Sequence, residues 1–193
     1  FLDTLETISG QVVWDMLRAN FAPLQDGTPF TTEDVAKSLG VTPEHARLLG
    51  RLLQILEEDS YLERKDGRWI AAREDQANTP LDTLTQMIRD YQTAEPELTL
   101  LHRCGESLLS VLRGKTDPLS LLFPADGSIS AGNLYRDSIG GQAMNRLMAD
   151  TIGQIAGKLP DGRGLRILEI GAGTGSTTES IIAQLPDQRA RYV

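Results

Sequence analysis

Several helical apolar stripes, one Asp-Gly hairpin signal and one β-type run ending on glycine predict the fold class. It is mainly α with a winged-helix-like N-terminal module, followed by the first βα unit of a Rossmann-like α/β core. The chain of 193 residues is 40% hydrophobic and 24% charged, with 18 Gly and 9 Pro, which disfavours disorder, collagen-like repeats and coiled-coil arrays. No run reaches the roughly 20 consecutive apolar residues that a membrane span needs. Phe1-Leu2-Asp3-Thr4 lacks the basic and apolar regions of a signal peptide, and the missing initiator Met reads as a cut from something longer. The lone Cys104 cannot form an internal disulfide, which suits a reducing, cytoplasmic setting.

Residues 1–72 supply the first module. Val12, Val13, Met16, Leu17 and Phe21 recur at helical spacing, so a helix is expected from about Ile8 to Asn20. Pro23, Asp26, Gly27 and Pro29 then mark a turn. Thr31 stands three residues before Asp34, close to a capping box, and Gly40 closes the short helix that follows. Thr42-Pro43 opens another helix, with Leu48, Leu49, Leu52, Ile55 and Leu56 on one broad face. Tyr61–Arg64 and Arg68–Ala71 flank Asp66-Gly67, the hairpin signal. Trp14 and Trp69 read as core.

This helix–helix–helix–hairpin order raises DNA binding, and the charges weigh against it. Residues 1–72 hold seven Lys/Arg and twelve Asp/Glu, a net of −5, and the whole chain carries −8. The would-be recognition helix offers Arg47 and Arg51 but also Glu44, Glu57 and Glu58. A DNA reader needs clustered cations for the phosphates. A packing or dimerising module is therefore expected, with no nucleic-acid and no membrane partner.

Residues 73–160 read as all helix, the segment that the resemblance given below implies is a helical lid. Asp75, Asn78, Thr79 and Pro80 form a loop, and Leu81, Leu84, Met87, Ile88 and Tyr91 mark a stripe. Leu98 to Leu112 is expected to break near Gly105 and to end at Gly114. Pro118 to Phe123 is a short helix or turn, and Met144, Leu147, Met148, Ile152, Ile155 and Leu159 belong to a long amphipathic helix, Gly141 to Lys158. His45 reads as solvated and His102 as packing. The spacing of His102, Cys104 and Glu106 does not demand a metal, and none is expected.

Residues 161–193 start the Rossmann-like part. A strand over Leu165–Ile170 runs into Gly171-Ala172-Gly173-Thr174-Gly175, a helix follows from Ser176 to Leu185 where Pro186 stops it, and Arg191-Tyr192-Val193 opens a second strand. Gly171 and Gly173 permit a tight turn and close approach of a ligand to the main chain. The helix start at Gly175–Thr178 adds free N–H groups and a positive dipole end. A P-loop would need a Lys that is absent here. Ser176 meets the small-residue requirement of G-x-G-x-x-G, so a dinucleotide stays open. Glycines at 171, 173 and 175 after Glu169 fit S-adenosylmethionine (SAM) better: it has no phosphate to cradle, and its ammonium wants an acid near the strand end. An unpaired buried Glu169 would be costly without such a partner.

Leu165 to Gly175 resembles motif I of class I SAM-dependent methyltransferases. Asn133-Leu134-Tyr135-Arg136-Asp137-Ser138, Gly105-Glu106-Ser107-Leu108 and Pro118-Leu119-Ser120-Leu121-Leu122-Phe123-Pro124 resemble the carbon-methyltransferase domains of polyketide synthases. That resemblance implies a methyltransferase core, with the preceding helices as a lid that forms the acyl cavity. The implied reaction is methyl transfer from SAM to the α-carbon of a β-ketoacyl group. This substrate would hang by phosphopantetheine from an acyl carrier protein, beside neighbouring synthase domains. The resemblance also implies that Glu169, Gly171, Ala172, Gly173, Thr174 and Gly175 hold the cofactor and that Tyr135 lies near it; a half-buried aromatic with a wet hydroxyl explains Tyr135 as well. The family's ribose-holding acid and catalytic base fall later than Val193, so no catalytic residue is assigned. Residues 1–193 alone are expected not to catalyse the transfer. A small-molecule O-methyltransferase and a pseudo-methyltransferase scaffold remain the alternatives.

Overall fold

A computed structural model describes residues 1–73, 79–160, 162–185 and 190–193. The chain packs as two compact units, one of residues Phe1–Gln92 with Leu98–Ala125, the other of Thr93–Glu97 with Asp126–Val193.

The first unit begins with helix α1, Leu2–Asn20, whose buried face is Ile8, Val12, Val13, Trp14 and Leu17. It starts six residues earlier than the apolar spacing predicts. The extra turns face solvent and so carry no periodic signal, yet they extend a helix already nucleated by its buried part. Pro23 sits in the first turn of α2, Pro23–Asp26, a short helix where a plain turn is expected, and Gly27 closes it at φ 73°. The capping box before α3, Thr32–Leu39, is present: Thr31 Oγ1 accepts from the Asp34 N–H and Asp34 accepts from the Thr31 N–H.

Thr42-Pro43 opens a 3₁₀ turn, Pro43–His45, ahead of α4, Ala46–Glu58. The Thr42 hydroxyl lies 2.9 Å from His45 Nδ1, so this ring is half-buried and partnered instead of solvated. On α4 the buried residues are Leu49, Leu53 and Leu56. Leu48, read as part of the apolar face, is 38% exposed. Strands β1, Leu62–Lys65, and β2, Arg68–Ala71, pair antiparallel across Asp66 (φ 51°) and Gly67 (φ 76°), the two positive-φ positions of a tight hairpin turn. Phe30 adds a bridge to Trp69 on β2.

The core of this unit joins Leu17, Phe30, Val35, Leu39, Leu49, Leu53, Leu56, Leu62 and Leu112, with Trp14 and Trp69 buried as expected. Helix α5 is Pro80–Asp90 and α6 is Glu95–Leu112. Asp75 and Asn78 of the expected loop lie outside the described residues. Helix α6 runs unbroken through Gly105. There a Cβ would stand 2.7 Å from Val12 Cγ1 of α1, so this glycine serves close helix packing and not a break. His102 packs with Nε2 3.1 Å from the Thr85 hydroxyl. Helix α7, Pro118–Leu122, is capped by Asp117, which accepts from the Leu119 N–H. No helix among the described residues is long and apolar enough to cross a membrane.

The second unit contains α8, Ala131–Asp137, α9, Ile139–Gly157, strand β3, Leu165–Ile167, helix α10, Ser176–Ile182, and strand β4, Ala190–Tyr192. Strands β3 and β4 are parallel, Leu165 facing Ala190 and Ile167 facing Tyr192. This is the β–α–β order the sequence predicts. Strand β3 stops at Ile167 instead of Ile170, with Leu168 and Ile170 at 70% and 88% exposure. Pro186, the expected stop of α10, lies outside the described residues. The apolar stripe of α9 is exposed at Met144, Leu147, Met148 and Ile155, and its buried positions are Asn145, Ala149 and Ala156. Small residues there let the neighbouring helices approach.

Candidate functional site

Chain geometry at the end of β3 follows from three glycines. Gly171, Gly173 and Gly175 take φ values of 79°, 59° and 77°, a region closed to most side chains. A Cβ built on Gly171 or Gly175 meets nothing within 4 Å, and on Gly173 only the Gly171 carbonyl at 3.8 Å. Conformation, not crowding, demands these glycines, and the loop surface from Gly171 to Thr174 stands open. Ser176 is buried, with its hydroxyl 3.0 Å from that of Thr174.

Glu169 precedes the loop, and here the structure corrects the sequence argument. The side chain is half-buried and already partnered: Thr178 and Tyr192 both donate hydroxyl protons to Oε2, the latter at 2.7 Å. The Thr178 bond first, and the Tyr192 bond second, hold this carboxyl below the ordinary glutamate range. The same arrangement pushes the Tyr192 phenol up, through burial and then the adjoining carboxylate. A permanent negative charge therefore sits beside the glycine loop at neutral pH.

Helix α8 comes to the same place. A methyl on Gly132 would lie 3.9 Å from the Thr174 methyl, so the start of α8 borders the loop. Tyr135, one turn further on, is 58% exposed. Its carbonyl accepts from Asn145 Nδ2 at 3.0 Å, and Asn145 Oδ1 accepts from the Thr177 hydroxyl at 2.7 Å. The structure thus gathers Glu169 and the 171–175 loop at one strand end, and ties α8 to the helix leaving that loop. Asn145, Thr177, Thr178 and Tyr192 were missed by sequence reasoning. The available signals were an amide within an apolar helix and two hydroxyl residues following the glycines.

The arrangement can hold a flat group along an open backbone shelf and a cation against Glu169. A non-reducing polyketide synthase, pks11 of Talaromyces marneffei, is 35% identical over 156 residues, 79% of this chain and 6% of that protein. The solved CurJ carbon methyltransferase matches with 36% identity and a TM-score of 0.85, over 97% of this chain and 50% of that one. The DszA carbon methyltransferase matches at 26% identity and a TM-score of 0.82, over 99% of this chain and 50% of its own. This chain is similar to the carbon methyltransferase domains of polyketide synthases. Its fold matches the N-terminal part of such a domain. The chain spans about half the length of these methyltransferase structures, and a far smaller share of the curated synthase. No family model matches it.

Proposed function

We propose that this chain forms part of a SAM-dependent carbon methyltransferase domain of a polyketide synthase, with a β-ketoacyl group on an acyl carrier protein as substrate. The observation that carries the reading is the open, positive-φ glycine loop set beside the ionised Glu169. Both features suit SAM: a loop with no Cβ at Gly171, Gly173 and Gly175 admits the adenosine, and a carboxylate attracts the cationic methionyl end. Gly171, Ala172, Gly173, Thr174 and Gly175 would hold the adenosyl part, Glu169 the ammonium and Tyr135 the lid side. In this reading residues 1–72 are a packing module, 73–160 the lid and 161–193 the start of the cofactor core. Bound there, SAM supplies an electrophilic methyl group.

This chain's residues do the holding. Glu169 keeps its orientation because two hydroxyls grip one oxygen, and it needs no proton change to bind a cation at pH 7. The lid would exclude water from the acceptor carbon, where alignment supplies most of the rate. Binding without turnover is expected of residues 1–193 alone, because the resemblance implies that the base lies at later positions. Calorimetry with SAM tests the assignment. The folded chain should bind it, and Gly173→Val, which forces a β-branched side chain to φ 59°, should weaken binding at least tenfold. A folded wild-type chain that takes up no SAM overturns the cofactor reading in favour of a scaffold role.

A further inference from the structure

Asn145 is an odd residue for its position. It stands on α9 at 8% exposure, on the buried face that otherwise presents Ala149 and Ala156. A buried amide is costly unless both ends are satisfied. Here both are. Nδ2 donates to the Tyr135 carbonyl at 3.0 Å and Oδ1 accepts from Thr177 at 2.7 Å. The carbonyl has no proton to give, so the amide nitrogen must face it, which sets the orientation of the side chain.

The two bonds reach two elements that border the glycine loop. Tyr135 belongs to α8, and Thr177 is in the first turn of α10, two residues after Gly175. The next residue, Thr178, donates instead to Glu169, two residues past the end of β3. Successive residues on a helix point about 100° apart, so the first turn of α10 is held from two directions. Gly141 keeps the α8–α9 corner tight, since a Cβ there would stand 2.5 Å from the Tyr135 carbonyl oxygen.

We propose that Asn145 is a positioning residue. Through Thr177 it fixes the first turn of α10, and with it the Gly171–Gly175 loop, against the segment that carries Tyr135. It thereby sets the affinity of the loop for SAM. The inference rests on the cofactor reading above and deepens it.

The test uses this chain, SAM as the titrated ligand, thermal melting, and amide hydrogen exchange at residues 176–178. Thr177→Val keeps the volume and deletes the hydroxyl, so it leaves the fold in place. Thr177→Val and Asn145→Ala should each weaken SAM binding about tenfold. The double variant should be no weaker than Asn145→Ala, because the one bond that Thr177→Val deletes is already gone in Asn145→Ala. Thr177→Ser should restore wild-type affinity. Thr177→Val should speed exchange at 176–178 and, because Asn145 Oδ1 loses its donor, lower the melting temperature by only several degrees while the chain still melts as a folded protein. Wild-type affinity in Thr177→Val, or losses that simply add in the double variant, would overturn the proposal. Should wild type bind no SAM, the cofactor reading falls and takes the affinity claim with it. Exchange at 176–178 that Thr177→Val leaves unchanged would overturn the clasp by itself.

Discussion

Glu169 and Tyr192, joined with Thr178 in one hydrogen-bonded cluster, tie the site to pH. In the unfolded chain the two hydroxyl donors are lost and Glu169 titrates in its ordinary range, about 4.3. In the fold its carboxyl sits lower, so folding favours the ionised form. That contribution is present at neutral pH and disappears as pH falls from the ordinary range through the folded value. Tyr192 works in the opposite window: its raised phenol stabilises the fold below about pH 10, the ordinary tyrosine value, and the contribution fades as pH rises through the folded value. Melting temperature followed from pH 7 to 3 should therefore fall more steeply for wild type than for Glu169→Gln. Equal acid limbs would show that the two hydroxyls do not hold the carboxylate. The capping pair Thr31 and Asp34 was legible beforehand because its partners are three residues apart. Asn145 was not, with one partner 10 residues away and the other 32.

Between elements, Gly105 opposes two effects of known size. Alanine in a helix interior is favoured over glycine by about 1 kcal/mol. Overpacking a tight interface costs about 1–3 kcal/mol. The Cβ of Gly105→Ala would meet Val12 Cγ1 at 2.7 Å and Leu81 Cδ2 at 3.3 Å, and a β-branched valine has little room to turn away. Packing should win, so urea denaturation should show Gly105→Ala destabilised by up to about 2 kcal/mol, the overpacking cost less the helix-propensity gain, with part recovered in Gly105→Ala/Val12→Ala. A more stable single variant would mean that α1 and α6 do not approach as described. The sequence shows only a glycine within an apolar run. A break and a close contact look alike until the facing helix is placed.

For the molecule as a whole, stability in the first unit rests on which leucines of α4 enter the core. Leu53 is fully buried and Leu48 is 38% exposed, although apolar spacing alone placed Leu48 on the packed face. Leu53→Ala should cost about 2–5 kcal/mol. Leu48→Ala should stay within about 0.5 kcal/mol of wild type. Chemical denaturation of both variants checks the assignment, and similar losses would refute it. By itself the sequence determined the Asp66-Gly67 hairpin, the Thr31–Asp34 capping box, the strand–helix–strand order after Gly164 and the three glycines of the loop. Each of these depends on backbone preferences of a residue and neighbours within about one turn. Only the tertiary structure decided that α6 passes unbroken through Gly105, that the α9 seam is built on small residues, and that Glu169 already has partners. Burial and pairing of that kind depend on groups many positions away, and their free energy exists only once the elements have docked.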